Sequence, residues 1–223
     1  MIISAISDLH GTLPTIRPCD ICIIAGDISP LRIQNSIHYT ATWLLTKFKD
    51  WVINLPCNAV YAIWGNHDFI GEKAPWFAET LCELTDYKLT WLHGQTDEID
   101  GITIYGSPYC HQFGHWPFMQ SESWLQGYYE SIPDKVDILV THDTPALGDL
   151  DLLPASQWNT KPVHAGGTSL AKAILEKKPK IALCGHLHTC KDKFWENENT
   201  KIYNVSILNN EYENVYNPTY III

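Results

Sequence analysis

Lys180-Ile-Ala-Leu-Cys-Gly-His-Leu-His-Thr-Cys190 runs from four apolar residues into a glycine and then two histidines, with a cysteine on either side. Four candidate ligands of two types within seven residues raise the question of a self-contained zinc site. Structural zinc sites separate two ligand pairs by about a dozen residues or more, because a shorter chain lacks the slack to close a tetrahedron. His186 and His188 therefore need partners from elsewhere, and Cys184 and Cys190 read as bystanders. The apolar lead-in says where to look. The same arrangement recurs at MIISAIS before Asp8-Leu-His10, DICIIA before Gly26-Asp27, AVYAIW before Gly65-Asn66-His67-Asp68, and VDILV before Thr141-His142. Short, nearly continuous apolar runs are the pattern of strands buried on both faces, as in an α/β sheet.

Open α/β sheets bind ligands beyond the carboxyl ends of their strands. Five strand ends then deliver Asp8, His10, Asp27, Asn66, His67, His142, His186 and His188 to one rim. Taken singly, such an aspartate is a turn former or helix cap, and such a histidine a hydrogen-bonded surface or core residue. Their coincidence at five ends favours a shared site. Carboxylates, imidazoles and an amide oxygen are hard to borderline donors, suited to manganese, iron, zinc or magnesium. Asp8-x-His10 and His186-x-His188 each put two donors on the same side of an extended chain. Asp27, with two oxygens, is able to bridge two ions. A pair of ions about 3.5–4 Å apart binds a phosphoryl group and activates water, which suggests in-line attack by a metal-bound hydroxide.

The rest of the chain supports one globular domain over residues 1–223. Hydrophobic residues make up 45% and aromatic ones 12%, enough for a large core. Fifteen basic against twenty-five acidic residues give a net charge of −10, which argues against stable nucleic-acid binding. It leaves room for a nucleotide substrate, since bound cations reverse the local field. The start, MIISAISDLHG, has no basic segment, no run reaches transmembrane length, and the seven cysteines are scattered. A cytoplasmic protein without membrane contact is expected. Helices are predicted over 36–53, 73–84, 121–129 and 168–177, the last with a Thr or Ser cap and ending before Pro179. Strands are predicted at GITIYG, KFWEN, KIYNVSI and PTYIII, with a hairpin around NENT. The terminal YIII fits an edge strand or a core strand equally well.

The ordered blocks Asp8-Leu-His10, Gly26-Asp27, Gly65-Asn66-His67-Asp68, Thr141-His142 and Gly185-His186-Leu187-His188 resemble the calcineurin-like metallophosphoesterase family. The resemblance spans residues 8 to 188 and implies an α/β (α+β) fold, a four-layer αββα sandwich of two mixed β-sheets flanked by helices. It also implies two divalent ions, manganese first, with iron, zinc, magnesium or nickel as alternatives. Asp8, His10, Asp27 and His188 would hold one ion, and Asp27, Asn66, His142 and His186 the other. His67 matches the general acid, with Asp68 beside it to orient it or raise its pKa.

Protein phosphatases of the family carry a Gly-Asp-x-x-Asp-Arg-Gly block, whereas this chain has GDISPLR and only two arginines, Arg17 and Arg32. A bidentate arginine clamp on phosphate is hard to build from these. ITIYGSPYCHQFGHWPFM, DILVTHDTPALGDLD and HAGGTSLAKAILEKKPKIALCGHLH look closer to the metallophosphoesterase-domain-containing branch with cyclic-nucleotide phosphodiesterase activity. Two departures lie beside the ligands: THDTP replaces Thr-His-Gly-Pro-Pro, and Thr189 stands where an acidic residue often follows. The expected function is hydrolysis of a small, nucleotide-like phosphodiester, with cyclic nucleotides among the candidates. The alternatives are a phosphomonoesterase, including a Ser/Thr protein phosphatase, a nuclease, or a non-catalytic metal-binding module. The loop SPYCHQFGHWPF reads either as a wall for stacking a base or as a packed edge cover. Asn66, His111, His115 and His164 are the candidate substrate contacts. His38 and His93 have no partner motif, and the nine tryptophans, Trp64 included, read mostly as packing residues.

Overall fold

In a computed structural model, which describes residues 1–156, 160–191 and 193–223, the runs Ile2–Ile6 (β1) and Ile21–Ala25 (β2) pair in parallel. Alternation sends β2 into two cores at once. Ile21, Ile23 and Ala25 pack between the sheets, while Cys22 and Ile24 pack under helices. Such a strand has no solvent face, and this is why its sequence is continuously apolar.

Ala59–Ile63 (β3) and Leu89–Trp91 (β4) extend this sheet in parallel, and Thr219–Ile222 (β15) closes its other edge antiparallel to β1, in the order β15-β1-β2-β3-β4. The terminal YIII is thus an edge strand, with Ile221 buried and Ile222 exposed. A second sheet has six strands. Its central ones are Ile102–Ser107 (β6), Ile138–Thr141 (β9), Ile181–Cys184 (β12) and Lys201–Asn204 (β14), all parallel. Its edges are the antiparallel Gln95–Ile99 (β5) and Phe194–Glu196 (β13), giving the order β13-β14-β12-β9-β6-β5. The predicted hairpin is the β13–β14 pair. Two short ribbons flank the rim: Cys110–His111 (β7) with Met119–Gln120 (β8), and Leu152–Leu153 (β10) with Val163–His164 (β11).

The predicted first helix forms as Ile37–Trp43 (α1) and Lys49–Asn54 (α2), joined by a π-helical turn at Leu44–Phe48 and opened by Ser36, whose hydroxyl accepts from Tyr39 N. The helix predicted over 73–84 is two helices, Phe69–Lys73 (α3) and Phe77–Leu84 (α4). Pro75 separates them, because proline lacks an N–H and disfavours helix at the residue before it. These helices cover the first sheet, while Glu122–Glu130 (α5) and Thr168–Lys177 (α6) cover the second. The cap expected at α6 comes from outside the helix. Gly167 occupies the N-cap, and the carboxylate of Glu122 accepts from Thr168 N at 2.9 Å and Ser169 N at 2.8 Å.

Helices, sheet, sheet and helices make four layers, with one core between the sheets and one under each helical layer. Among the described tryptophans, Trp64 and Trp91 are buried, whereas Trp76, Trp116 and Trp124 are exposed; Trp158 lies outside the described residues. No helix among the described residues is long and apolar enough to cross a membrane.

Candidate metal centre and substrate cleft

The parallel strands of both sheets end at the same rim, and the sheets are joined there by a bridge between Ser7 and Ser206. Past β1 and β2 the chains stay paired: Asp8 N donates to Gly26 O at 3.0 Å and His10 N to Asp27 O at 2.8 Å. To hold this course Asp8, His10, Asp27 and, after β12, His186 all adopt left-handed backbone conformations, with φ of 57°, 42°, 54° and 69°. Non-glycine residues persist in that region only where neighbours over-determine them. Here the neighbours are mostly backbone donors. His67 N reaches Asp27 Oδ1 at 2.7 Å, His186 N reaches both Asp8 oxygens at 3.1 Å, and Ser206 Oγ donates to Asp8 Oδ2 at 2.6 Å.

The seven expected ligands converge. Donor atoms of Asp8, His10 and His188 lie within 4.8 Å of one another, as do those of Asp8, Asp27 and His142. Asp27 Oδ2 sits 3.5 Å from His10 Nε2 and 3.2 Å from His142 Nε2, and Asn66 Oδ1 lies 3.0 Å from His142 Nε2. His142 donates through Nδ1 to Ala25 O at 2.8 Å, and His188 through Nδ1 to Asn209 O at 2.9 Å, turning both Nε2 atoms to the rim. His10 is the telling residue: its side chain is 2% exposed, yet neither ring nitrogen makes a hydrogen bond. A buried imidazole without a hydrogen-bond partner is costly, and a divalent ion would supply the missing partner. The donor set therefore fits divalent metal.

Electrostatics follow the same geometry. Burial alone would raise Asp8 and Asp27, but His188 beside the first and His142 beside the second hold both carboxyls well below the usual range. Burial opposes the charged form of these histidines too, yet Asp27 pushes His142 up to about 10 and Asp8 pushes His188 up to about 9. Burial pulls His10 down to about 4, and burial with the charge of His142 does the same for His186.

Above these groups opens a cavity of about 420 Å³, walled by Phe113, Trp116 and Tyr212. Trp116 lies 4.6 Å from the ring of His67, Phe113 5.1 Å from His186, and Tyr212 5.0 Å edge-on to His10. Among the described residues no lysine or arginine lines it, and Arg32 is exposed elsewhere.

Asn66 and His67 line the cavity as expected, but the other candidate contacts do not. His111 is drawn to the buried Asp143, which its Nδ1 meets at 2.9 Å and its backbone N–H at 3.0 Å. His164 Nδ1 pairs with the buried Asp151 at 2.9 Å, and His115 is exposed. Two carboxylates buried beside the rim thus claim two of the histidines, and the aromatics of the same loop take the cavity wall. Asp68 also differs from expectation. Its oxygens accept backbone N–H groups of Ile28 at 3.1 Å, Ser29 at 2.8 Å and Gly65 at 2.8 Å, tying the turn after β3 to that after β2. The partner of His67 Nδ1 is instead Gln34 Oε1, at 2.7 Å. An amide fixes the ring without lending it charge.

Sequence reasoning missed Gln34, Tyr212 and Cys110. The first two come from segments without a motif. Cys110 carried a readable signal, since it follows a sixth parallel strand, β6, whose carboxyl end adjoins the same rim. Its donor atom groups with those of His142 and His186 within 4.8 Å. Cys184 and Cys190 point instead to the carbonyls of Tyr203 and Leu152.

Residues 1–190 match the Calcineurin-like phosphoesterase family. A UPF0046 protein of Caenorhabditis elegans is 27% identical, covering 94% of this chain and 75% of its own length. Metallophosphoesterase domain-containing protein 1 of Homo sapiens is 28% identical, covering 82% of this chain and 59% of its own, so this chain spans less than two thirds of that relative. The TT1561 protein of Thermus thermophilus superposes with a TM-score of 0.57 at 13% identity, over 91% of this chain and 88% of that one, a likeness of fold.

Proposed function

Because the chain belongs to the calcineurin-like phosphoesterase family, we propose that it is a phosphodiesterase acting on a small ester with a planar, nucleotide-like group. The supporting observation is the cavity itself, with three aromatic walls and no lysine or arginine among its described lining residues. A phosphomonoester is a dianion at neutral pH and gains from a lysine or arginine beyond the ions. A diester carries one charge and needs no such clamp, while its second organic group gains from aromatic surface. In this reading Asp8, His10, Asp27 and His188 hold one divalent ion, and Asp27, Asn66, His142 and His186 the other. Manganese is our first assignment. Held by these residues, divalent ions would supply Lewis-acid charge to the phosphoryl oxygens and lower the pKa of water.

The chain's own groups do the rest. Ala25 O and Asn209 O fix the tautomers of His142 and His188. Gln34 holds the His67 ring by Nδ1, so Nε2 is the nitrogen that hands a proton to the leaving oxygen. Trp116 lies tilted against that ring, with centroids 4.6 Å apart, and walls the cavity beside it. Thiols throughout the chain are free, which supports a cytoplasmic setting, and the net charge of −10 supports a small substrate over nucleic acid.

Metal titration with bis-p-nitrophenyl phosphate and p-nitrophenyl phosphate tests the reading. Diester cleavage well above monoester cleavage is expected; the reverse preference makes the protein a phosphomonoesterase. No cleavage of either ester with any divalent ion would leave a metal-binding module. His67→Ala should slow turnover and leave metal content unchanged. Cyclic 2′,3′ and 3′,5′ nucleotides then narrow the substrate.

A further inference from the structure

The geometry points to Cys110 as a ligand: we propose that its thiolate binds the ion on the His142–His186 side, making that position the softer of two unlike metal sites. The proposal rests on the metal-dependent reading above and adds a donor to it. Cys110 opens β7, just past the carboxyl end of β6, and its backbone N–H is held by Phe118 O at 2.9 Å. The side chain is fully buried, in no disulfide, and its sulfur lies within 4.8 Å of donor nitrogens on both His142 and His186. Ligands around one zinc stand about 3.3–3.8 Å apart at bond lengths of about 2.0–2.3 Å. Small side-chain adjustments therefore bring all three donors onto one ion.

The other buried cysteines near the rim behave differently. Cys184 and Cys190 have their sulfurs 3.6 and 3.9 Å from backbone carbonyl oxygens, and neither joins a donor group among the described residues. Across the centre, Asp8, His10 and His188 offer only oxygen and imidazole nitrogen. A thiolate favours zinc or iron, whereas a carboxylate-rich position suits manganese or magnesium. The two ions are then of different kinds: manganese or magnesium beside Asp8 and, in place of the manganese assigned above, zinc or iron beside Cys110. When the sulfur–metal bond forms, the thiol proton leaves to solvent and nothing is oxidised.

Cobalt(II) reports sulfur ligation directly. Metal-free wild-type protein titrated with cobalt(II) should develop a near-ultraviolet sulfur-to-cobalt charge-transfer band that saturates at a single equivalent. Cys110→Ser should lose the band, while Cys184→Ala and Cys190→Ser keep it. Zinc affinity of Cys110→Ser should fall at least about tenfold, with manganese affinity nearly unchanged. A wild-type protein saturated with cobalt(II) but lacking the band overturns the assignment, whatever the variants do; so does a band lost from Cys184→Ala or Cys190→Ser. Cobalt-loaded protein that cleaves bis-p-nitrophenyl phosphate without the band sinks Cys110 alone. A band without hydrolysis keeps Cys110 and sinks the phosphodiesterase reading.

Discussion

Asp68→Ala removes a carboxylate that is fully buried and accepts from three backbone N–H groups, those of Ile28, Ser29 and Gly65. Each donor left without a partner costs about 1–3 kcal/mol. The three share one acceptor and one space, so their costs do not simply add, and a total of roughly 3–5 kcal/mol is expected, typical of breaking a buried polar network. At about 2–4 °C per kcal/mol for a chain of this size, the melting temperature should fall by roughly 6–20 °C. Asp68→Asn keeps one acceptor oxygen and should lose about 1–3 kcal/mol. Differential scanning fluorimetry on metal-free protein measures both variants without reference to activity. The folded fraction of either variant should retain a pH–rate profile of wild-type shape, because His67 is held by Gln34. Wild-type stability in Asp68→Ala, together with a displaced alkaline limb in that profile, where the general acid His67 loses its proton, would refute the backbone-tying role of Asp68 and restore it as the partner of His67.

Gly65→Ala places a Cβ against Asp27 Oδ1, 2.5 Å from Asp27 N and 2.8 Å from His142 Cε1. Overpacking of about 1–3 kcal/mol and a turnover loss of about 100-fold should appear together with lowered metal content by atomic absorption. Trp116→Ala removes the wall over His67, and kcat/KM for bis-p-nitrophenyl phosphate should fall about 5- to 150-fold, the range of one stacking contact, at unchanged metal stoichiometry. Glu122→Ala uncaps α6 and should cost about 1–2 kcal/mol, read by chemical denaturation. Burial opposes ionisation of Glu122, but the Ser169 and Thr168 donors hold its pKa below 4.5. A depressed carboxyl stabilises above its unfolded pKa and loses that contribution as pH falls through the folded one. The wild type should therefore lose its advantage over Glu122→Ala in acid.

Strands buried on both faces leave a strong imprint, so the five apolar runs and their polar ends are legible in the sequence, and with them the convergence of donor side chains at one rim. Features set by distant neighbours are not. Nothing local tells that Asp143 and Asp151 will be buried and will capture His111 and His164. Nor does the chain near Gln34 or Tyr212 carry a pattern, since each reaches the rim through packing of a remote loop. The break at Pro75 is legible in principle, since proline disfavours helix at the residue before it, although apolar residues continue on both sides of it. Cys110 also follows a strand end, but a lone thiol there reads first as a small packing residue.

Asp8, His10, Asp27 and His186 carry one further consequence, for anyone who would make this protein more heat-resistant. Side chains held at left-handed φ cost about 1–3 kcal/mol each, so the four together stand at roughly 4–12 kcal/mol, comparable to the whole net stability of about 5–15 kcal/mol expected of a folded domain. Glycine would relieve that strain at every one of these positions. At Asp8 and Asp27 the relief is offset by unpairing His186 N, Ser206 Oγ and His67 N, but at His10, whose ring nitrogens make no hydrogen bond, none is lost in exchange, so a screen that rewards folding alone will drift toward erasing that donor, and thermostable variants should be sought with it held fixed.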